Sequence, residues 1–168
     1  MVSLGSQVVA PEPSVSLRSR FRWQVFGVAA VALAADVVAK MVGVSTLTDG
    51  PVNLPGPLDL RLVRNSGVAF GVGSGLPVGL VIGATAAVTI LLAVMIWRGG
   101  FPPLAGGLIL GGAIANVLDR IGDGVVIDVF DLGWWPTFNL ADVWITLGVA
   151  AVMLVAARAP AEPSETAS

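Results

Sequence analysis

Four long apolar runs alternate with shorter polar stretches along the chain. They cover residues 23–42, 76–97, 103–118 and 140–157. About 20 apolar residues cross a bilayer as a helix, so the pattern predicts four transmembrane helices. The third run is the shortest and is rich in glycine, with Gly107 and Gly111 four residues apart. This spacing would let a neighbouring helix approach closely, although plain apolar filler fits the run equally well.

The segments between the runs have different characters. Residues 58–65, "LDLRLVRN", alternate apolar and polar side chains, which is typical of a strand. A lone strand cannot lie unpaired in lipid, so we expect a small sheet at the membrane edge. Residues 121–138 should form a second loop, in which Trp134 and Trp135 suit an aromatic anchor at the interface. The fold class is therefore an all-α integral membrane protein, with four transmembrane helices, a small extracytoplasmic β-sheet and outer loops.

Both ends of the chain differ from this membrane domain, which we place at residues 21–158. Residues 1–20 and 159–168 contain Ser and Pro among polar residues, and we expect disordered tails. Arg18, Arg20 and Arg22 precede the first run, and Arg98 and Arg158 fall at the same end of the predicted bundle. By the positive-inside rule, both termini should be cytoplasmic and the intervening loops outside.

Composition supports a membrane protein and restricts its chemistry. Of 168 residues, 55% are hydrophobic and only 12% are charged, with a net charge of −2. No basic surface indicates nucleic acid binding. The chain has no Cys, His or Tyr, which excludes disulfides, thiol nucleophiles and catalytic triads built on histidine. Proton transfer in an enzyme of this composition would fall to Asp, Glu, Lys or water.

Polar side chains gather at one membrane boundary in this topology. Interfacial placement alone would explain one or two of them, whereas intramembrane ionisable residues usually serve a function. The set consists of Asp36, Lys40, Asn65, Asn116, Asp119, Arg120, Asp128, Asn139 and Asp142.

Carboxylates without histidine suggest an acid–base pair of aspartates. Two adjacent carboxyl groups cannot both ionise easily, so they share a proton. The ionised member can activate water and the protonated member can protonate a leaving amine, which is the chemistry of aspartic peptidases. Neither a metal nor a covalent intermediate is needed, and a position at the bilayer edge would suit a membrane-held peptide.

The same residues carry an ordered set of motifs. They are "DVVAK" at 36–40, "NSGVAFG" at 65–71, "GGAIANVLDRIGDGVVIDVF" at 111–130 and "FNLAD" at 138–142. The set resembles the motifs of the lipoprotein signal peptidase family, also called signal peptidase II. The resemblance implies an aspartic peptidase of the bacterial inner membrane that removes the signal peptide from prolipoproteins, just before a cysteine that carries diacylglycerol. It also implies no cofactor and inhibition by the cyclic peptide globomycin. We expect membrane lipid around a monomer.

The resemblance also assigns roles to individual residues. It places the catalytic pair on Asp128 and Asp142, with Asp119 as a rival for the first position. Val129 stands where the family usually has an aromatic residue, and Asp131 is nearby. Asp128 is nevertheless preferred because its nine-residue spacing from Asp119 matches the family.

The remaining motif residues are expected to support this pair. Asn116 would donate hydrogen bonds and Arg120 would fix a carboxylate or a substrate carbonyl, unless Asp119 and Arg120 simply form an ion pair. The others are polar groups that orient substrate or the catalytic pair, Asn65 and Asn139, and a structural pair on one helix face, Asp36 and Lys40.

Two other functions fit parts of the pattern. A proton-coupled transporter or channel subunit would also use intramembrane aspartates, but nearer the middle of the bilayer. A peptidase with a serine–lysine pair would combine Lys40 with Ser45 or Ser66. Lys40 is better explained as the i+4 partner of Asp36.

Overall fold

A computed structural model describes residues 15–67 and 75–158 of the chain. Its elements are the helices α1 (Val15–Thr46), α2 (Val78–Trp97), α3 (Pro103–Asp123) and α4 (Leu140–Arg158), and the strands β1 (Asp59–Asn65) and β2 (Val126–Asp131). Within the described residues, four helices are long and apolar enough to cross a membrane, as the four runs predicted. The protein is therefore a multi-pass membrane protein with a small two-stranded sheet.

The helix boundaries correct two expectations. Helix α1 begins at Val15, so the last six residues of the predicted N-terminal tail are helical. No Gly or Pro occurs between this point and residue 26, so nothing in the sequence stops the helix. Helix α3 continues five residues past the predicted end at 118, and stops where Gly124 adopts a left-handed φ of 74°. Residues 1–14 and 159–168 of the predicted tails lie outside the described residues.

Helix α3 lies at the centre of the bundle and packs against the other three helices. Its glycines make this possible, because a Cβ built on Gly111 would lie 2.6 Å from the Ala29 carbonyl oxygen of α1. A Cβ on Gly107 would lie 2.6 Å from Val28 Cβ. On another face of α3, a Cβ on Gly112 would lie 2.5 Å from the carbonyl oxygen of Ala141 in α4. The predicted close approach at Gly107 and Gly111 is confirmed.

The sheet connects the loop after α1 to the segment after α3. The two strands pair antiparallel, with Val63 opposite Asp128 and Asn65 opposite Val126. A register shift between Leu60 and Val63 marks an irregularity in β1. The strand predicted at 58–65 is confirmed. Its partner was missed because β2 has only six residues, and its two aspartates do not alternate strictly with apolar residues.

The chain returns tightly from β2 to α4. Phe130 and Phe138 form an isolated antiparallel bridge, and their ring centroids are 5.5 Å apart. The turn between them carries Trp134, whose side chain is largely exposed, and Trp135, whose side chain is about half exposed. Because this return is so short, β2 ends beside the first turn of α4.

Candidate active site

Asn139 fixes the beginning of α4 through reciprocal capping. Its Oδ1 accepts a hydrogen bond from the backbone N–H of Asp142 at 2.9 Å, and Asp142 Oδ2 accepts from the backbone N–H of Asn139 at 3.2 Å. These bonds form a capping box, which satisfies backbone donors at a helix start and holds both side chains. Asn139 therefore caps α4, and the Asp142 carboxylate is held at the beginning of the helix.

Asp128 lies on β2 directly beside this cap. Its side chain is only 1% exposed, and both carboxylate oxygens accept hydrogen bonds from amides. The donors are Asn139 Nδ2 at 2.8 Å and Asn65 Nδ2 at 3.1 Å. Asn65 also accepts a bond from the backbone N–H of Gly67 at 3.0 Å, which shapes the end of β1. Asn139 therefore contacts Asp128 through its side chain and Asp142 through its backbone.

Asn116 of α3 completes the amide cluster. Its Nδ2 donates to Asp142 Oδ1 at 2.9 Å, while its Oδ1 accepts from Asn139 Nδ2 at 3.2 Å. The same oxygen lies 3.4 Å from Lys40 Nζ. Because Lys40 is a donor only, it fixes which end of the Asn116 amide faces Asp142. Asn65, Asn116 and Asn139 together donate to both aspartates.

Lys40 links α1 to α3 directly, and its partner Asp36 links α1 to α4. Its ammonium group lies 2.6 Å from Asp36 Oδ2 within α1 and 2.7 Å from Asp119 Oδ2 on α3. Asp36 is fully buried, and its other oxygen accepts from the backbone N–H of Ala141 in the first turn of α4 at 2.7 Å. Asp119 Oδ2 also accepts from the backbone N–H of Ile127 at 3.2 Å. The predicted pair of Asp36 and Lys40 is confirmed, and it anchors the helix that carries Asp142.

Arg120 acts on the loop that follows β1. Its guanidinium donates to the Gly67 carbonyl at 2.8 Å and to the Asn116 carbonyl of its own helix at 3.0 Å. It is close enough to Asp128 and Asp142 to interact with both electrostatically. Asp119 has Lys40 as its close partner at 2.7 Å, and its charge also acts on Arg120. Neighbouring residues on a helix point in different directions, which separates the two side chains.

The two aspartates differ in their surroundings. Burial raises the pKa of the Asp128 carboxyl from 3.8 to about 6, and the nearby charge of Asp142 acts in the same direction. The hydrogen bonds from Asn65 and Asn139 oppose this rise without cancelling it. Asp142 is only half-buried. The pair thus combines a carboxyl that tends to keep its proton with a second carboxyl that is more accessible.

A cavity of about 390 Å³ opens beside this pair, between α2, α3, α4 and the tryptophan turn. Asp142, Asn65, Asn116 and Arg120 face it, and its remaining walls are mostly apolar. Sequence reasoning missed the contribution of α2 to this cavity. The lining threonines Thr85 and Thr89 (α2) and Thr146 (α4) are polar residues in apolar runs, a signal that could have indicated them.

A second cavity adjoins the first on the other side of Asp142. It measures about 380 Å³ and is lined largely by apolar side chains, including Trp134, Phe138 and Leu147. Trp135 and Thr146 line both cavities, so the two spaces meet at the Asp142 carboxylate. An extended chain with an apolar attachment could therefore lie across this carboxylate.

The structure brings together every residue that the sequence assigned to the site. Of the "NSGVAFG" motif, residues 68–71 lie outside the described residues. Asp131, the near neighbour of Asp128, instead points to Arg61, whose Nε lies 2.9 Å from Asp131 Oδ2. The preference for Asp128 in the cluster agrees with this geometry. The serine–lysine alternative finds no support, because Lys40 binds two carboxylates and the Ser45 hydroxyl donates to the Val42 carbonyl at 3.0 Å.

Four membrane helices hold a buried carboxyl, an accessible carboxylate and an adjoining cleft, and this arrangement suits a multi-pass membrane peptidase. Residues 28–158 match the family described as Signal peptidase (SPase) II. The chain belongs to the signal peptidase II family.

Individual relatives agree with this assignment. A lipoprotein signal peptidase of Rhodococcus jostii (strain RHA1) is 38% identical over 160 residues, which cover 86% of this chain and 75% of the relative. One of Rhizorhabdus wittichii is 39% identical over 163 residues, covering 88% of this chain and 95% of the relative. A solved structure described as a bacterial membrane enzyme superposes with a TM-score of 0.75 at 25% identity, covering 87% of this chain and 94% of that one.

These similarities decide between the functions that the sequence left open. The protein is a peptidase of the membrane, with the function of signal peptidase II. The alternative of a proton-coupled transporter or channel subunit is not supported, since the family and both relatives are peptidases.

Proposed function

We propose that Asp128 and Asp142 are the catalytic pair and that they hydrolyse a peptide bond in a diacylglyceryl prolipoprotein, just before the lipidated cysteine. The observation that carries the proposal is Asn139, which donates to Asp128 through its side chain and to Asp142 through its backbone. One residue thereby fixes the positions of both carboxyl groups relative to each other. The names of the relatives, which are lipoprotein signal peptidases, support the substrate class.

The different environments of the two carboxyl groups assign their roles. Asp142 faces the cavity and, when ionised, removes a proton from a water molecule as that water attacks the scissile carbonyl carbon. Asp128, whose pKa is raised by burial to about 6, carries the proton in the reactive form of the pair. It donates its proton to the amide nitrogen as the carbon–nitrogen bond breaks. No covalent intermediate forms, and the pair is restored when the proton on Asp142 returns to Asp128.

The remaining motif residues hold this pair without touching the scissile bond. Asn116 orients the Asp142 carboxylate, and Asn65 connects Asp128 to the wall of the cavity. Arg120 secures the backbone at Gly67, where the end of β1 approaches the cavity. Asp119 does not compete for the catalytic position, because Lys40 and the backbone of Ile127 occupy its carboxylate.

The distribution of charge supports an orientation in the membrane. Arginines mark the end of the bundle remote from the site, at the beginning of α1 and the ends of α2 and α4; they are Arg18, Arg20, Arg22, Arg98 and Arg158. By the positive-inside rule this end faces the cytoplasm and the site faces outward, in the bacterial cytoplasmic (inner) membrane. A four-span membrane domain between two cytoplasmic tails, a monomeric state and inhibition by globomycin remain parts of this proposal.

Cleavage of matched substrates tests the substrate class. The full-length protein is reconstituted in vesicles with a prolipoprotein peptide that carries diacylglycerol on its cysteine, or with the same peptide unmodified. Mass spectrometry of the products should show cleavage immediately before the cysteine in the lipidated peptide only, and globomycin should block it. Equal cleavage of the unmodified peptide, or cleavage at another bond, would contradict the proposed specificity.

A further inference from the structure

A cleft lined by arginine and aromatic side chains lies at the end of the bundle remote from the active site. It measures about 330 Å³ and lies between the beginning of α1 and the end of α2. We call it the arginine–tryptophan cleft, and its lining residues are Arg18, Ser19, Arg22, Trp23, Phe26 and Trp97. A smaller cavity of about 110 Å³ continues inward from it, sharing Arg22, Phe26 and Trp97 and adding apolar side chains of all three neighbouring helices. The proposed peptidase chemistry uses none of these residues.

Arg22 is the polar centre of the arginine–tryptophan cleft. Its guanidinium carbon lies 4.0 Å from the ring centroid of Trp97, a cation–π contact, and the side chain is half-buried. Trp97 in turn packs edge-on against Phe26, with ring centroids 5.9 Å apart. In the described part of the chain, no carboxylate pairs with Arg22. A guanidinium carries five N–H donors, so a guanidinium that lies against a ring can still donate to an anion.

The charge around the cleft has one sign. Among residues 15–67 and 75–158, no acidic side chain lies beside Arg22, because the described aspartates lie toward the opposite end of the bundle. Trp23 is 73% exposed and Trp97 is 50% exposed, and exposed tryptophans at the end of a transmembrane bundle are typical of the headgroup region. A cationic pocket with apolar rings beneath it fits a molecule that joins an anion to a hydrocarbon chain.

We propose that the arginine–tryptophan cleft binds an anionic phospholipid of the leaflet at this end of the protein. The phosphate accepts charge-assisted hydrogen bonds from Arg22, and the glycerol and first methylene groups lie against Trp97, Phe26 and Trp23. The inner apolar cavity accommodates the beginning of one acyl chain. This lipid is separate from the substrate, whose diacylglycerol would approach the opposite boundary, and its binding does not depend on the proposed cleavage reaction.

Native mass spectrometry of the detergent-purified full chain tests this site. The protein is mixed with equal amounts of phosphatidylglycerol and phosphatidylcholine, and the occupancy of each lipid is measured for the wild type and two variants. Arg22→Gln removes the proposed ligand contact. Arg98→Gln removes the same charge at the same end of the bundle, but Arg98 does not line the arginine–tryptophan cleft.

The wild type should bind phosphatidylglycerol in preference to phosphatidylcholine. Arg22→Gln should lower the affinity for phosphatidylglycerol about tenfold, as expected for one charge-assisted contact, whereas Arg98→Gln should change it by no more than about twofold. A Trp97→Leu variant should weaken binding as well, because it removes the ring that holds the guanidinium. Equal losses in Arg22→Gln and Arg98→Gln, or equal binding of the two lipids, would overturn the proposal in favour of general surface attraction.

Discussion

The amide of Asn65 offers a direct way to shift the titration of the proposed acid. In the wild type, Asn65 Nδ2 donates to Asp128 Oδ2 at 3.1 Å and thereby opposes the effect of burial; the pKa that results from both is about 6. A hydrogen bond to a charged group contributes about 1.5 kcal/mol, which corresponds to about one pKa unit. Asn65→Ala should therefore raise the pKa of Asp128 by about one unit, to about 7.

The assay is the pH dependence of kcat/KM for cleavage of the lipidated peptide, which reports ionisations of the free enzyme. If Asp128 acts as the acid, activity is lost as pH rises through its pKa. The alkaline limb should then have its midpoint near pH 6 in the wild type and about one unit higher in Asn65→Ala, whatever happens to the maximal rate. Asn53→Ala changes an exposed asparagine of the same outer segment and should leave the midpoint unchanged. An alkaline limb that stays in place or moves down in Asn65→Ala would refute the assignment.

Two further substitutions test how α4 is held against the rest of the site. Asp36→Ala leaves the Ala141 N–H without its buried acceptor and leaves Lys40 with only one carboxylate partner. The free energy of unfolding should therefore fall by about 3 kcal/mol. Asp36→Asn keeps an acceptor for the Ala141 N–H and should lose less stability. Equal midpoint temperatures of thermal unfolding for the two variants in detergent would contradict the anchoring role. Gly112→Ala places a Cβ 2.5 Å from the Ala141 carbonyl oxygen, so it should lower the free energy of unfolding by about 1–3 kcal/mol and reduce kcat. Gly27→Ala, which has open space around it, should change neither quantity.

Much of this architecture was readable from the sequence because membranes simplify the pattern. A helix in lipid satisfies its own backbone, so long apolar runs predict helices with few alternatives. The motif residues Asp128, Asn139 and Asp142 were also predictable as a cluster, since they are the polar exceptions in apolar surroundings. The reciprocal cap between Asn139 and Asp142 follows from their spacing of three residues.

Other features depend on tertiary contacts that no local pattern specifies. The bond from the Ala141 N–H to Asp36 joins residues 105 positions apart, and nothing near either residue indicates the other. The partner of Asp119 was equally hidden, because several cations lay within plausible reach and only the packing of α3 on α1 selects Lys40. Strand β2 forms because it pairs with β1, and its own residues do not show the alternation of apolar and polar side chains that predicts a strand.

The most direct test of the catalytic pair compares aspartate-to-asparagine variants, which keep the size of the side chain and remove its charge. Initial rates of cleavage of the lipidated peptide are measured in vesicles for Asp128→Asn, Asp142→Asn, Asp119→Asn and Asp131→Asn, at matched amounts of inserted protein. Asp128→Asn and Asp142→Asn should each abolish cleavage, Asp119→Asn should retain part of it, and Asp131→Asn should remain near wild type because that carboxylate pairs with Arg61 outside the cluster. Near-normal cleavage by Asp128→Asn or Asp142→Asn, or complete loss in Asp119→Asn with activity kept in Asp128→Asn, would contradict the account.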